Sequence, residues 1–234
     1  MHGTLFRHKA LSGVSSTLLG MMVGVSFTAY RKLHNLHHDF VGRFGDPDFY
    51  PGYAKSKYLL WFMYHLRIMG GAVLYIFFIP VIAWKKVSTA QRVIIVSESV
   101  LLYAMWGISF YMFPTRLFLL TTLIPLFVVS YFSAVRGFAE HSFVDATDPL
   151  TGSRTITGDP ITNFLMLNIN FHLAHHLFPE VPSYHLKKLH SLISPLCFRQ
   201  IISSSYLGFL LQFFVASFSF NESPIGTTEQ LHAK

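Results

Sequence analysis

The 234-residue sequence predicts an all-α integral membrane protein with a histidine-rich polar cap, and three observations carry that prediction. Charge is sparse: Asp, Glu, Lys and Arg make up 12% of the chain, about half of the roughly 25% usual in soluble domains. Apolar residues reach 52%, too many for a soluble globule to hide. They gather into runs of helix-spanning length, while the 13 histidines concentrate in the polar segments between runs.

Five apolar runs follow one another along the chain. Ala10 to Tyr30 is uncharged, rich in Gly and Ser, and lies between Lys9 and Arg31. Ile68 to Trp84 stops at Lys85-Lys86; Val93 to Thr115 has only Glu98 inside it; Leu117 to Val135 is bounded by Arg116 and Arg136; Ile201 to Phe220 is the last. A spanning helix needs about 20 apolar residues, so length alone admits all five. The polar segment Arg31 to Lys57 contains the turn-forming Asp46-Pro47-Asp48. The segment from Arg136 to about Gln200 contains Asp148-Pro149, Gly152 and Gly158-Asp159-Pro160. No repeat, linker or low-complexity tract divides the sequence, which predicts one domain over residues 1–234.

Composition also removes several functions. Cys197 is the single cysteine, so there is no internal disulfide and no cysteine cage for a metal. The net charge is +7, but the cations are scattered at the edges of apolar runs. Nucleic-acid binders concentrate them in dense patches, so no nucleic-acid partner is expected. Basic flanks on apolar runs are a membrane pattern.

The chemistry lies in two histidine clusters with the same His-x-x-His-His spacing. They are His34-Asn35-Leu36-His37-His38 and His172-Leu173-Ala174-His175-His176. On a helix, positions i, i+3 and i+4 share a face, so their imidazoles can converge. The adjacent pair diverges by about 100°, which lets one cluster serve two metals. One such cluster would be weak, and two are strong. Structural zinc sites usually use cysteine, whereas an imidazole-only set fits a pair of iron atoms with positions open for oxygen. His8, His65, His185, His190 and His232 stand alone and read as ordinary hydrogen-bonded or snorkelling residues.

These residues resemble the membrane fatty acid desaturase superfamily, the histidine-box di-iron enzymes that also include carotenoid ketolases and hydroxylases. The second box matches at His34, His37 and His38, and the third at His172, His175 and His176. The run Asn170-Phe171-His172-Leu173-Ala174-His175-His176-Leu177-Phe178-Pro179 is similar to the acyl-lipid desaturase form of the third box. The resemblance implies a further ligand at His141, in Gly137-Phe138-Ala139-Glu140-His141. Met1-His2-Gly3-Thr4 looks like the tail of the first box, which adds His2. The earlier part of that box, and the membrane hairpin that precedes it in the family, are expected upstream of Met1. As written, the chain is expected to be N-terminally truncated and poorly active. Asp39, Glu140 and Asn170 sit beside ligands, where they would orient imidazoles; Asp145 reads instead as a loop residue.

The resemblance implies two iron ions as cofactor, O2 as co-substrate, and desaturation of a long-chain fatty acyl group, lipid-linked or thioester. The runner-up within the superfamily is a carotenoid ketolase or hydroxylase, which Met1 to Thr4 and Asp46 to Phe49 also resemble. The rival of another class is a non-catalytic metal-binding membrane remnant. The expected partners are a membrane lipid or acyl substrate and a separate electron donor, ferredoxin or cytochrome b5.

Sidedness follows from requiring all ligands on one face of the bilayer. Ala10 to Tyr30 joins His2 to His34, so it is expected to be interfacial or re-entrant. Three runs separate His38 from His141, and one of them must fail to cross. Val93 to Thr115 and Leu117 to Val135, joined at Phe113-Pro114-Thr115, read as the crossing pair. Ile68 to Trp84, weakened by Gly70-Gly71 and Pro80, reads as shallow or re-entrant. The segments bearing histidine boxes hold 12 of the 18 basic residues, which predicts a multi-pass protein with its di-iron cap facing the cytoplasm.

Overall fold

A computed structural model describes residues 8–50 and 54–219. The fold is helical, in the order α1 (Lys9–Met22), α2 (Phe27–Phe40), α3 (Lys57–Leu66), α4 (Ala72–Ala83), α5 (Thr89–Met112), α6 (Thr115–Phe118), α7 (Ile124–His141), β1 (Arg154–Ile156), α8 (Pro160–Leu165), α9 (His172–Leu177), α10 (Leu186–Ile193), β2 (Ile201–Ser203) and α11 (Tyr206–Ser219). Contacts sort the described residues into two compact units. One holds residues 8–39 and 66–134, the other 40–50, 54–65 and 135–219.

The first unit contains the membrane-capable helices. Helix α5 begins at a capping box, in which Ser88 Oγ accepts from Gln91 N and the Gln91 side chain accepts from Ser88 N. Its 24 residues reach about 36 Å, more than the roughly 30 Å hydrocarbon core. The helix stops where Phe113 turns extended ahead of Pro114, as expected of a residue before proline. Helix α6 then passes through a π-turn at Leu119–Leu123 into α7, making a 27-residue span from Thr115 to His141. These two helices are long and apolar enough to cross a membrane. Val93, Val100, Ile108 and Tyr111 stand uncovered on α5, as lipid-facing residues do. The two runs expected to cross are therefore helices of spanning length and apolarity. The second helix runs six residues beyond Val135 because the end of apolarity does not end the helix.

Ala10 to Tyr30 is not one helix. α1 ends at Met22, α2 starts at Phe27, and the two are bent by 96°, the shape of a re-entrant or broken span. His8 caps α1, its Nδ1 accepting from Leu11 N. Ile68 to Trp84 is interrupted as its glycines predict: a π-turn covers Arg67–Gly71, and α4 has only 12 residues, about 18 Å, with Pro80 inside. Ala29 and Leu33 of α2 pack on Ile79, Ala83, Val87 and Ile95, a buried cluster within this unit.

The second unit carries the polar elements. β1 and β2 pair in parallel, Arg154 with Ile201 through Ile156 with Ser203, a small ladder that the helical reading of the sequence did not include. Ile201 to Phe220 is consequently split between β2 and the 14-residue α11, too short for a straight crossing. The turn-formers behave as their chemistry requires. Asp46 accepts from Gly42 N and Asp48 N, Asp145 from Thr147 N and Oγ1, and Asp159 caps α8 by accepting from Ile161 N and Thr162 N.

Candidate metal centre

Helix α9 is only six residues long, and its surroundings hold it in place. Leu167 and Asn168 both take positive φ, 51° and 58°, a costly backbone for non-glycine residues that redirects the chain after α8. Asn170 is fully buried beyond this turn, donating to Ile156 O at 2.7 Å and Asn163 Oδ1 at 2.6 Å. Ile156 N returns a bond to Asn170 O, and Leu173 N donates to Thr155 Oγ1. Asn170 thus fixes the backbone entering α9 rather than an imidazole ring.

Three imidazoles meet in this unit. His141 Nε2 lies 2.8 Å from His172 Nε2, His176 Nε2 lies 3.0 Å from His172 Nε2, and His176 and His141 are 3.3 Å apart. Ligands about 2.0–2.1 Å from one ion, at angles of 90–109°, stand about 2.9–3.4 Å from each other. The donor set therefore fits one transition-metal ion, and these three belong to a group able to hold one. His175, buried on the same helix, points elsewhere; its ring centroid is 5.5 Å from His172 and 5.7 Å from His176.

Glu140 lies beside His172, where the sequence placed it. Its carboxylate is wholly buried, with Oε2 3.2 Å from His172 Nδ1 and Oε1 accepting from Tyr206 Oη at 2.9 Å. His172 Nδ1 also lies 3.2 Å from Ile169 O. Ile169 O accepts from Nδ1, with the Glu140 carboxylate close by, so the proton resides on Nδ1 and the Nε2 lone pair faces His141 and His176. Burial, then the neighbouring imidazoles and Arg136, hold the His172 pKa well below the usual histidine value. The ring is neutral, as a metal ligand must be.

Two further residues escaped the sequence reading. Arg154 is buried, and its Nη1 donates at 2.7 Å to both Ala139 O and Ser142 O, with Nη2 3.3 Å from Phe143 O. Burial brings its pKa down to about 10, so it remains cationic at neutral pH. The cation sits at the negative end of α7 and fixes the turn that presents His141. Tyr206 is the other, and burial followed by Glu140 raises its hydroxyl pKa. An isolated Arg in a short strand and a Tyr at a helix start carry no local signal. Tyr206→Phe keeps the ring but removes the Glu140 bond. It is expected to weaken iron retention roughly tenfold, read by metal content after graded chelation.

In the other unit, α2 places its own cluster. His34 and His38, one turn apart, bring Nε2 atoms to 3.2 Å. The buried His37 is turned away, 6.4 Å from His34 and 5.9 Å from His38 between ring centroids. This is the divergence expected of adjacent helical positions. Asp39 is exposed and bonds to no histidine ring among the described residues. His65 bonds Trp61 O and stacks on the Trp61 ring, an ordinary structural histidine. His2 and His232 lie outside the described residues.

Apolar membrane-length helices and cysteine-free histidine clusters with metal-ligand spacing define a helical protein of membrane type. The chain belongs to the fatty acid desaturase family, whose profile matches residues 1–207. It is 26% identical over 185 residues to the sphingolipid delta(4)-desaturase/C4-monooxygenase of Mus musculus, a match that covers 68% of this chain and 47% of the mouse protein. The chain thus spans about half the length of the curated relative that it matches. No solved structure matches it. The family binds iron through histidines, and the structure shows histidine clusters of that kind.

Proposed function

We propose that this protein desaturates a long-chain fatty acyl group, lipid-linked or thioester, in an oxygen-dependent reaction at a histidine-ligated di-iron centre. The observation that carries the reading is the His141, His172 and His176 triad, which lies beside a buried Glu140. The family resemblance adds His34, His37, His38, His175 and His2 as the further ligands. Iron, when bound, supplies the O2 activation that an unactivated C–H bond requires. The chain's own residues hold the imidazoles neutral and aimed. Ile169 O keeps the His172 proton on Nδ1 beside the Glu140 carboxylate, and Arg154 anchors the turn at His141. Ferredoxin or cytochrome b5 is the proposed donor, and the basic residues of the histidine-bearing segments suit an acidic partner.

Lipid analysis of cells expressing the chain tests the reaction. A new double bond in an acyl or sphingoid chain, lost on iron chelation, is the expected outcome. An oxygenated carotenoid with no new double bond would move the assignment within the superfamily. Purified protein with no iron would sink it.

We further propose a multi-pass arrangement with the Lys85 to Arg92 loop and His141 on the cytoplasmic side, joined by a helix pair that crosses and returns. A cysteine at Ser88, with Cys197 replaced, is expected to resist an impermeant thiol reagent outside intact cells. Labelling from outside would reverse the orientation.

A further inference from the structure

We propose that Glu98 is a positioning residue that sets the direction of α2, and with it the His34, His37 and His38 ligands, by clamping the break between α1 and α2. Glu98 is the only acidic residue in α5 and is buried within that membrane-length helix. An ionisable group there is expensive and needs partners. Glu98 accepts from four donors, in the break and in the two helices that flank it. Oε2 accepts from Ser26 Oγ at 2.6 Å and Thr28 N at 3.1 Å, and Oε1 from Thr28 Oγ1 at 3.0 Å and Thr17 Oγ1 at 3.2 Å.

These partners form the start of α2. Ser26 precedes Phe27 and accepts from Ala29 N, which makes it an N-cap. Its own hydroxyl proton goes to Glu98, and Thr28 N, a free donor of the first turn, does the same. The carboxylate therefore completes the cap from another helix and places negative charge at the positive end of α2. Thr17 adds α1 to the same carboxylate. Within the break, Gly24 has φ +79°, and a Cβ there would stand 2.6 Å from Leu126 Cδ1 and 3.0 Å from Trp106 Cζ2. The break is thus built from both sides. α2 then continues as one helix from Phe27 to Phe40, so an angular error at its start is carried to every histidine in the cluster.

The link to ligand geometry rests on the di-iron reading, and the test keeps the two apart. The full chain, with Cys197 replaced, is spin-labelled at Val14→Cys and Arg31→Cys, one site on each side of the break. The parent should give one narrow distance distribution. Glu98→Ala should broaden it, halve iron per chain or worse, and lower product formation roughly tenfold. Glu98→Gln, which keeps an acceptor oxygen and can donate to a hydroxyl, should restore most of all three. Thr28→Val should broaden the distribution mildly in a folded chain. An unchanged narrow distribution in Glu98→Ala overturns the proposal whatever the iron content. A broadened distribution with parental iron and product also overturns it. A parent chain without iron defeats the di-iron reading alone, and the distance distribution still decides whether Glu98 directs α2.

Discussion

Replacing His175 or His37 with alanine is expected to lower product formation at least about a hundredfold while the protein still inserts and folds. Each is buried, 7% exposed, and each is the member of its cluster whose ring turns away from its neighbours. Both are buried, so a scaffold role predicts that activity falls only in step with the amount of folded protein. A ligand role predicts loss of iron with little loss of protein. Product and iron content, measured together in membranes with matched expression, separate the two. His232→Ala is the control and should be silent. Normal activity in either cluster variant would remove the di-iron assignment.

Arg154→Met is expected to be the most damaging change outside the histidines. Methionine fills much of the volume but leaves the carbonyls of Ala139, Ser142 and Phe143 without their donor. It also removes the guanidinium stacked 4.9 Å from the Phe209 ring. Hydrogen bonds from a charged donor contribute about 1.5–3 kcal/mol each, but they are not additive, so a loss of about 3 kcal/mol is expected. Thermal unfolding in detergent should show it. Iron occupancy should fall as well, because the released turn carries His141. Arg154→Lys, a single-headed donor, should recover only part of both.

Much of the helical framework was legible from apolar runs and their basic ends. Pro114 marked the turn between the long helices, and Gly70-Gly71 marked the interruption before α4. The misses are physical. Gly24 is one of several glycines in Ala10 to Tyr30, and its positive φ, with Trp106 and Leu126 where a Cβ would stand, singles it out as the hinge. β1 and β2 are too short to show alternation, and their pairing joins segments distant in sequence. The box spacing located the histidines of α2 and α9, and family resemblance located His141. The parts that aim them, Tyr206 and Arg154, act through long-range contacts that leave no periodic trace. Asn170 was found by adjacency, but its side chain serves the backbone.

The β1–β2 ladder has a mechanical meaning for α9. Closing the chain between Arg154 and Ile201 costs about 3 kcal/mol from the length-dependent part of loop entropy alone. A few exchanged hydrogen bonds, each worth about 1 kcal/mol net, barely offset it. The ladder therefore persists through what is packed on it: buried Thr155 and Ile156, joined to Leu173 and Asn170 at the root of α9. It works as a latch kept shut by the lobe it encloses. Any ligand that ties α9 to His141 also tightens the latch, and a latch that opens releases both ends of the lobe at once.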